Sequence, residues 1–405
     1  MNRGVSTLLL LVLASACQTT TGTPEPAPDA AGVEPRDAGE TPPDAAVTPD
    51  AANTGVDAAV SMDAAQRPDA AVDGMDAGTN TDAAPPVDAG NTITVDAGGG
   101  IGPRCFADIW DPATAGPNYD QFNPVVGNHC QGTNHQQITG IERVVFVGDS
   151  VTVGTPPTAS GDFYRSRLAN LLATEFNLEP PGYLWRTANA LNGVAGEMFS
   201  GDFASCAKWG ARTDDLAQDN SQLETCMPLA ERNKKTLVVL TIGGNDIAAL
   251  QKDGRERTYE QNFQEVAQFV DLLRQAIHWV KMPGRFPGGV SVVFGNMYEF
   301  TDGTGDTASC GTASLGGFTP WENQEDLERL VVWANEQFMQ IAVETQSDMI
   351  FMLENFCGHG YKNEDPTGRC YRGPNTERWF DLTCIHPNPR GHEVIADMMM
   401  QVVRE

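Results

Sequence analysis

Val144-Val145-Phe146-Val147-Gly148-Asp149-Ser150 is a short apolar run that stops at a glycine, an aspartate and a serine. Four apolar residues in succession, without alternation, suit a strand buried on both faces. The pattern recurs at residues 237–242, which end in Gly243-Gly244-Asn245-Asp246. Residues 290–294 and 349–353 are two further runs, followed by GNMYEF and ENFCGHG. Between them, residues 163–176, 259–280 and 322–345 carry apolar side chains three and four apart, the period of an amphipathic helix. Residues 391–403 have the same period and form a closing helix. Alternating buried strands and helices predict an α/β fold, a parallel sheet covered on both faces. Right-handed crossovers gather the loops that follow the strands at one edge, where ligands bind. The polar clusters named above all fall there.

Those clusters hold the parts of a nucleophilic site. Ser150 supplies a hydroxyl, although a serine after Gly-Asp also suits an ordinary helix N-cap. Asn245 supplies a neutral amide that donates without titrating near pH 7; alone it suits a turn equally well. His386 lies in RWFDLTCIHPNPRGH, residues 378–392, a turn-rich loop just before the closing helix. Acyl transfer needs a hydroxyl nucleophile, an imidazole to take its proton and donors facing the developing oxyanion. Asp149 and Asp246 sit where a carboxylate caps the helix that follows, and His392 suits a structural place in the last helix. His359, in FCGHGY, either borders the pocket or belongs to a disulfide-braced loop.

In order and in company, the blocks resemble the SGNH, or GDSL, esterase/lipase family. FVGDSVTVG, with Gly148-Asp149-Ser150, matches its first block, and Gly210 in CAKWGARTDDL its second. Gly243-Gly244-Asn245-Asp246 matches the third and His386-Pro387-Asn388 the last, with coverage from about residue 140 to the C-terminus. The resemblance implies a flavodoxin-like three-layer α/β/α SGNH-hydrolase fold, with Ser150 as nucleophile and His386 as base. It implies an oxyanion hole from the backbone N–H groups of Ser150 and Gly210 and the side-chain amide of Asn245. No cofactor or metal is implied.

One position departs from the family pattern, which places an aspartate three residues before the histidine. Thr383 stands there, and the nearest carboxylate is Asp381. Three readings stay open. Asp381 reaches the ring because the loop is bulged or pinned by Cys384; the Thr383 hydroxyl or a backbone carbonyl orients a Ser–His dyad; or activity is weakened. The main expectation is a serine ester hydrolase acting through an acyl-enzyme on a lipid or acylated-carbohydrate ester. The competing one is a cell-surface binding lipoprotein that keeps the fold without the reaction. GEMFSGDF and GNMYEFTDGTGD are expected to wall the pocket. The lack of a long apolar lid segment points towards soluble or short-chain esters.

The sequence upstream has a different character. Residues 1–17 combine one arginine, an apolar stretch and a small-residue exit, as in a secretory signal. Leu13-Ala14-Ser15-Ala16-Cys17 resembles a bacterial lipobox with Cys17 as the lipidated residue; ordinary cleavage after Ala14-Ser15-Ala16 is the alternative. Residues 18–100 repeat Asp-Ala pairs with almost no aromatics, and hold roughly half of the net charge of −28. Such a segment cannot recover its ordering entropy, so a disordered tether is expected, with a reach of about 50 Å. Gln18 after the lipobox favours the outer membrane over the inner, by resemblance to bacterial sorting signals. The expected partners are thus an ester substrate and a membrane reached through the lipid anchor.

Residues 101–405 are ample for one hydrolase domain, whose first stretch, 101–140, reads as a disulfide-braced extension. Eight cysteines remain after Cys17, an even number in an exported chain. Short separations favour Cys105–Cys130, Cys206–Cys226 and Cys357–Cys370, which leaves Cys310 for Cys384. No CxxC pair occurs to hold zinc. An acidic chain also argues against nucleic acid as a partner.

Overall fold

The computed structural model describes residues 100–109, 116–218, 221–321 and 323–405. The signal segment at 1–17 with Cys17, and the tether up to residue 99, lie outside the described residues. Among the described residues, eight strands follow in chain order. β1 is Arg143–Gly148, and β2 (Ala188–Asn189) and β3 (Val194–Ala195) form a small separate hairpin. β4 is Phe199–Ser200, β5 Phe203–Ser205, β6 Thr236–Thr241, β7 Val290–Gly295 and β8 Asp348–Ile350. The main sheet has the order β4-β5-β1-β6-β7-β8. All its pairings are parallel except β4 with β5. Without the antiparallel edge strand β4, the order is the 2-1-3-4-5 of flavodoxin-like sheets.

The unbroken apolar runs have a direct cause. Val145, Val147, Val238, Leu240, Val292 and Phe294 point to one face, against helices Tyr259–Lys281 and Gln324–Thr345. Their neighbours Val144, Phe146, Leu237, Val239 and Val293 point to the other, against Tyr164–Phe176 and Pro389–Arg404. Side chains alternate between faces along a strand, so a sheet covered twice needs apolar residues at every position. Each valine or leucine fully buried this way contributes about 1.5–3 kcal/mol.

Two elements differ from the sequence expectation. The run at 349–353 is strand only as far as Ile350, and Met352–Phe356 is a short helix. The Leu353 N–H donates to Asn296 Oδ1 at 2.9 Å, which turns the chain out of the sheet. The sheet also gains β4 and β5, too short to show a period, joined through Gly201 at φ +57°. All four expected disulfides form: Cys105–Cys130, Cys206–Cys226, Cys310–Cys384 and Cys357–Cys370.

The chain leaves β1 for β5 on one side, while β6 lies on the other, so the strand order switches at the carboxyl end of β1. Gly148, the last residue of β1, pairs with Thr241. Gln222 clamps it from the side, accepting from the Gly148 N–H at 2.6 Å and donating to its carbonyl at 2.9 Å. Gly148 has φ +121°, and a Cβ there would lie 2.0 Å from the Thr241 carbonyl oxygen. Gly148→Ala combines left-handed strain with a backbone overlap. It should cost about 3 kcal/mol or more, read as a lower midpoint in urea unfolding.

Candidate active site

Ser150 opens the short helix Ser150–Val153 directly after β1. Asp149 caps that helix, accepting from the Val151 N–H at 3.0 Å. The same oxygen accepts from the Thr241 hydroxyl at 3.0 Å, so Asp149 also ties the serine turn to β6. Burial pushes its carboxyl up to about 7, against the lowering effect of those hydrogen bonds. The hydroxyls continue inward from Thr241 to Thr152 at 2.7 Å and from Thr152 to Tyr164 at 2.5 Å. His392 is structural. Its Nδ1 accepts from the Tyr164 N–H at 3.2 Å, and burial lowers its ring to about 3.

The loop carrying His386 is closed on itself and held from three sides. Asp381 N–H donates to the His386 carbonyl at 2.9 Å, and Cys384 N–H to the Asp381 carbonyl at 3.0 Å. Cys384, at φ +66°, is cross-linked to Cys310, and the Thr312 hydroxyl donates to the Leu382 carbonyl at 2.9 Å. From the cavity side, the Tyr298 hydroxyl donates to the Ile385 carbonyl at 2.7 Å. Asn388 then caps the closing helix, accepting from the N–H groups of Arg390 and Gly391.

This packing brings together residues 236 positions apart. His386 Nε2 lies 2.9 Å from Ser150 Oγ. On the other edge of the ring, Nδ1 lies 3.1 Å from the Thr383 hydroxyl. That hydroxyl in turn lies 2.5 Å from Asp381 Oδ1, which also accepts from the Thr383 N–H at 2.8 Å. Asp381 thus reaches the ring only through Thr383. A hydroxyl has a single hydrogen. Donated to the carboxylate, it leaves the oxygen to accept from Nδ1–H, and this assigns the tautomer whose bare Nε2 faces the serine. Burial lowers the His386 ring to about 4. It raises Asp381 to about 6, even though the two Thr383 donors act in the opposite direction.

Asn245 follows β6 in the helix Gly244–Asp253, and its amide donates to the Ala211 carbonyl at 2.9 Å. Asp246 beside it accepts from both the N–H and the hydroxyl of Thr213. It therefore braces the 206–213 loop, where a cap on the following helix was expected. Burial carries its carboxyl up to about 7. These bonds hold the 206–213 loop against the end of β6. Gly210 lies in that loop at φ +75°, exposed, and does not line the cavity.

A cavity of about 520 Å³ opens onto Ser150, Asn245 and His386. The GNMYEFTDGTGD segment lines it as expected, from Asn296 to Gly305, whereas the GEMFSGDF segment does not. A wall not foreseen from sequence comes from the N-terminal extension, through Ile101, Phe106 and Tyr119. His359 lies away from it, stacked on Trp379 with ring centroids 3.5 Å apart.

A hydroxyl paired with a half-buried imidazole at the switch point of a 2-1-3-4-5 sheet is the architecture of an SGNH-type hydrolase. Residues 146–394, more than half of the chain, match the GDSL-like Lipase/Acylhydrolase family. The chain belongs to that family and is a carboxylic ester hydrolase. No curated relative matches it. Among solved structures it is similar to an acetyl xylan esterase from Geobacillus stearothermophilus, at 16% identity, TM-score 0.37, covering 66% of this chain and 97% of that one. It is also similar to a lipase from a goat rumen metagenome, at 14% identity, TM-score 0.40, covering 64% and 97%.

The half-buried ring should remain neutral well below the pH at which a free imidazole, with a pKa of about 6.5, gains its proton. Titration of the His386 ring nitrogens by NMR is expected to show protonation only near about pH 4. A midpoint of about 6.5, that of a free imidazole, would contradict the site as described.

Proposed function

We propose that the protein hydrolyses carboxylic esters through an acyl-enzyme on Ser150. His386 takes the hydroxyl proton as Ser150 Oγ attacks the ester carbon, and passes it to the leaving alcohol. Water, activated by the same nitrogen, then releases the acid and restores the serine. The observation carrying this reading is the 2.9 Å contact between Nε2 and Oγ, in a ring whose other nitrogen is already engaged. Asn245 supports an oxyanion role. Its amide spends one hydrogen on Ala211, which leaves the second for the developing charge. By family resemblance the backbone N–H of Ser150 adds a second donor, whereas Gly210, the expected third, lies outside the cavity lining.

Thr383 is the positioning residue for the base, and Asp381 acts through it. As the ring gains its proton in the transition state, Nδ1–H donates to a hydroxyl already polarised by a carboxylate. Above about pH 6 Asp381 is charged and accepts the Thr383 hydrogen; below it, the relay weakens before the ring itself protonates. The small-molecule ester is the partner that the site requires. Attachment of the chain to the outer membrane through Cys17 rests on its lipobox-like sequence alone.

Ser150→Ala and His386→Ala should abolish hydrolysis of p-nitrophenyl esters, and Asn245→Ala should lower kcat by about 10²–10³. Activity retained by Ser150→Ala would remove the acyl-enzyme from consideration.

Thr383→Val should lower kcat by about 10²-fold, with KM little changed and Thr383→Ser restoring most of the rate. In wild type, kcat/KM should fall in two steps on acidification, near about pH 6 and about pH 4. The upper step should vanish in Thr383→Val, because Asp381 is then uncoupled from the ring. A purely structural threonine would leave that step in place.

A further inference from the structure

The cavity that reaches Ser150 and His386 also contains an acid that the hydrolytic chemistry does not use. Glu354 lies in the short helix after β8 and lines the cavity wall. It is half-buried, and part of its surface faces the cavity. Its carboxylate accepts from Asn296 Nδ2 at 3.0 Å and sits beside the Tyr119 hydroxyl, which accepts from the same amide at 2.9 Å. Both partners are neutral. Burial raises the Glu354 carboxyl, and among the described residues Asn296, its own backbone and Tyr119 act to lower it.

The arginines close by are committed elsewhere. Arg369, on the cavity wall, pairs with Glu328. Arg372 pairs with Asp108 and donates to the Glu354 main-chain carbonyl at 3.0 Å, not to the carboxylate. A partly buried carboxylate held by neutral donors is costly to keep charged, and a cation beside it offsets that cost. Two aromatic rings share its wall, Phe106 and Tyr119, both packed on Phe351 at centroid distances of 5.6 and 5.8 Å. Tyr119 stands beside the carboxylate and Phe106 lines the same cavity, and an aromatic wall with a carboxylate is the chemistry that receives an ammonium group. The net charge of −28 favours the approach of cations to the molecule as a whole.

We propose that Glu354, with Phe106 and Tyr119, forms a cation subsite of the active-site cavity, so that the preferred substrate is an ester bearing an ammonium group. The proposal rests on the hydrolase reading above and adds the substrate class to it. Much of the remaining wall is apolar, with Ile101, Ile247, Met297 and Val331, and suits the stem between the ester and the charge. The segment that brings Ile101, Phe106 and Tyr119 precedes the first strand, so the subsite is built partly outside the α/β core.

The test compares butyrylcholine with its uncharged isostere, 3,3-dimethylbutyl butyrate, on the full chain. Wild type should prefer the choline ester by about tenfold or more in kcat/KM, the scale of one charge-assisted contact. Glu354→Gln should erase that preference and leave the rate on the neutral ester unchanged, while Glu354→Asp keeps part of it. Tetramethylammonium should inhibit wild type competitively and Glu354→Gln much more weakly. Equal rates on the two esters in wild type, or a preference that survives Glu354→Gln, would overturn the subsite. If wild type cleaves neither ester, the hydrolase reading is what fails. Calorimetric binding of tetramethylammonium to wild type but not to Glu354→Gln would still uphold the subsite, and its absence would overturn it.

Discussion

The close approach of β1 and β6 at their carboxyl ends is the constraint on which the site depends. Gly148 pairs with Thr241 at a distance that leaves no room for a side chain. The Asp149 N–H then donates to the Thr241 carbonyl at 3.1 Å, and its carboxylate takes the Thr241 hydroxyl. Both strands therefore stop at the same level, and the serine turn and the Asn245 helix begin side by side. Dispersion and burial hold the sheet, but this polar seam fixes where its edge chemistry is displayed.

The His386 imidazole reaches that edge by a different route. The 378–392 loop contributes few side chains to the core, so its shape comes from internal hydrogen bonds, one disulfide and the tyrosine hydroxyl at Ile385. Placing a threonine between imidazole and carboxylate lengthens the chain of partners by one hydroxyl without reversing its direction. Each donor still has one acceptor, and the ring keeps the tautomer with its lone pair on the serine. A missing aspartate at position 383 thus changes the geometry of support while the polarity of the relay is maintained.

Much of this was legible in the sequence. The four apolar runs mark four parallel strands, since burial on both faces removes alternation. Ser150, Asn245 and His386 stand out because each follows or precedes such an element. β5 escaped notice, because three residues carry no period and its pairing is set by β1. The role of Asp246 was also hidden. Its partner, Thr213, is 33 positions away, and only tertiary folding brings them together. The cavity wall from Ile101, Phe106 and Tyr119 lies furthest from any local signal, since it depends on how a segment of little regular structure settles over β7 and β8. Glu354 was invisible for a related reason: in sequence it is one acid among 54 acidic residues, and only its neutral surroundings set it apart.

The cross-link between Cys310 and Cys384 joins the loop that bears the imidazole to the segment after β7, across 74 positions of chain. Closing a loop of that size removes conformational freedom chiefly from the unfolded ensemble, by about 4 kcal/mol in the chain-entropy description. Sulfur oxidation therefore favours the folded placement of the imidazole by narrowing what the unfolded chain can explore.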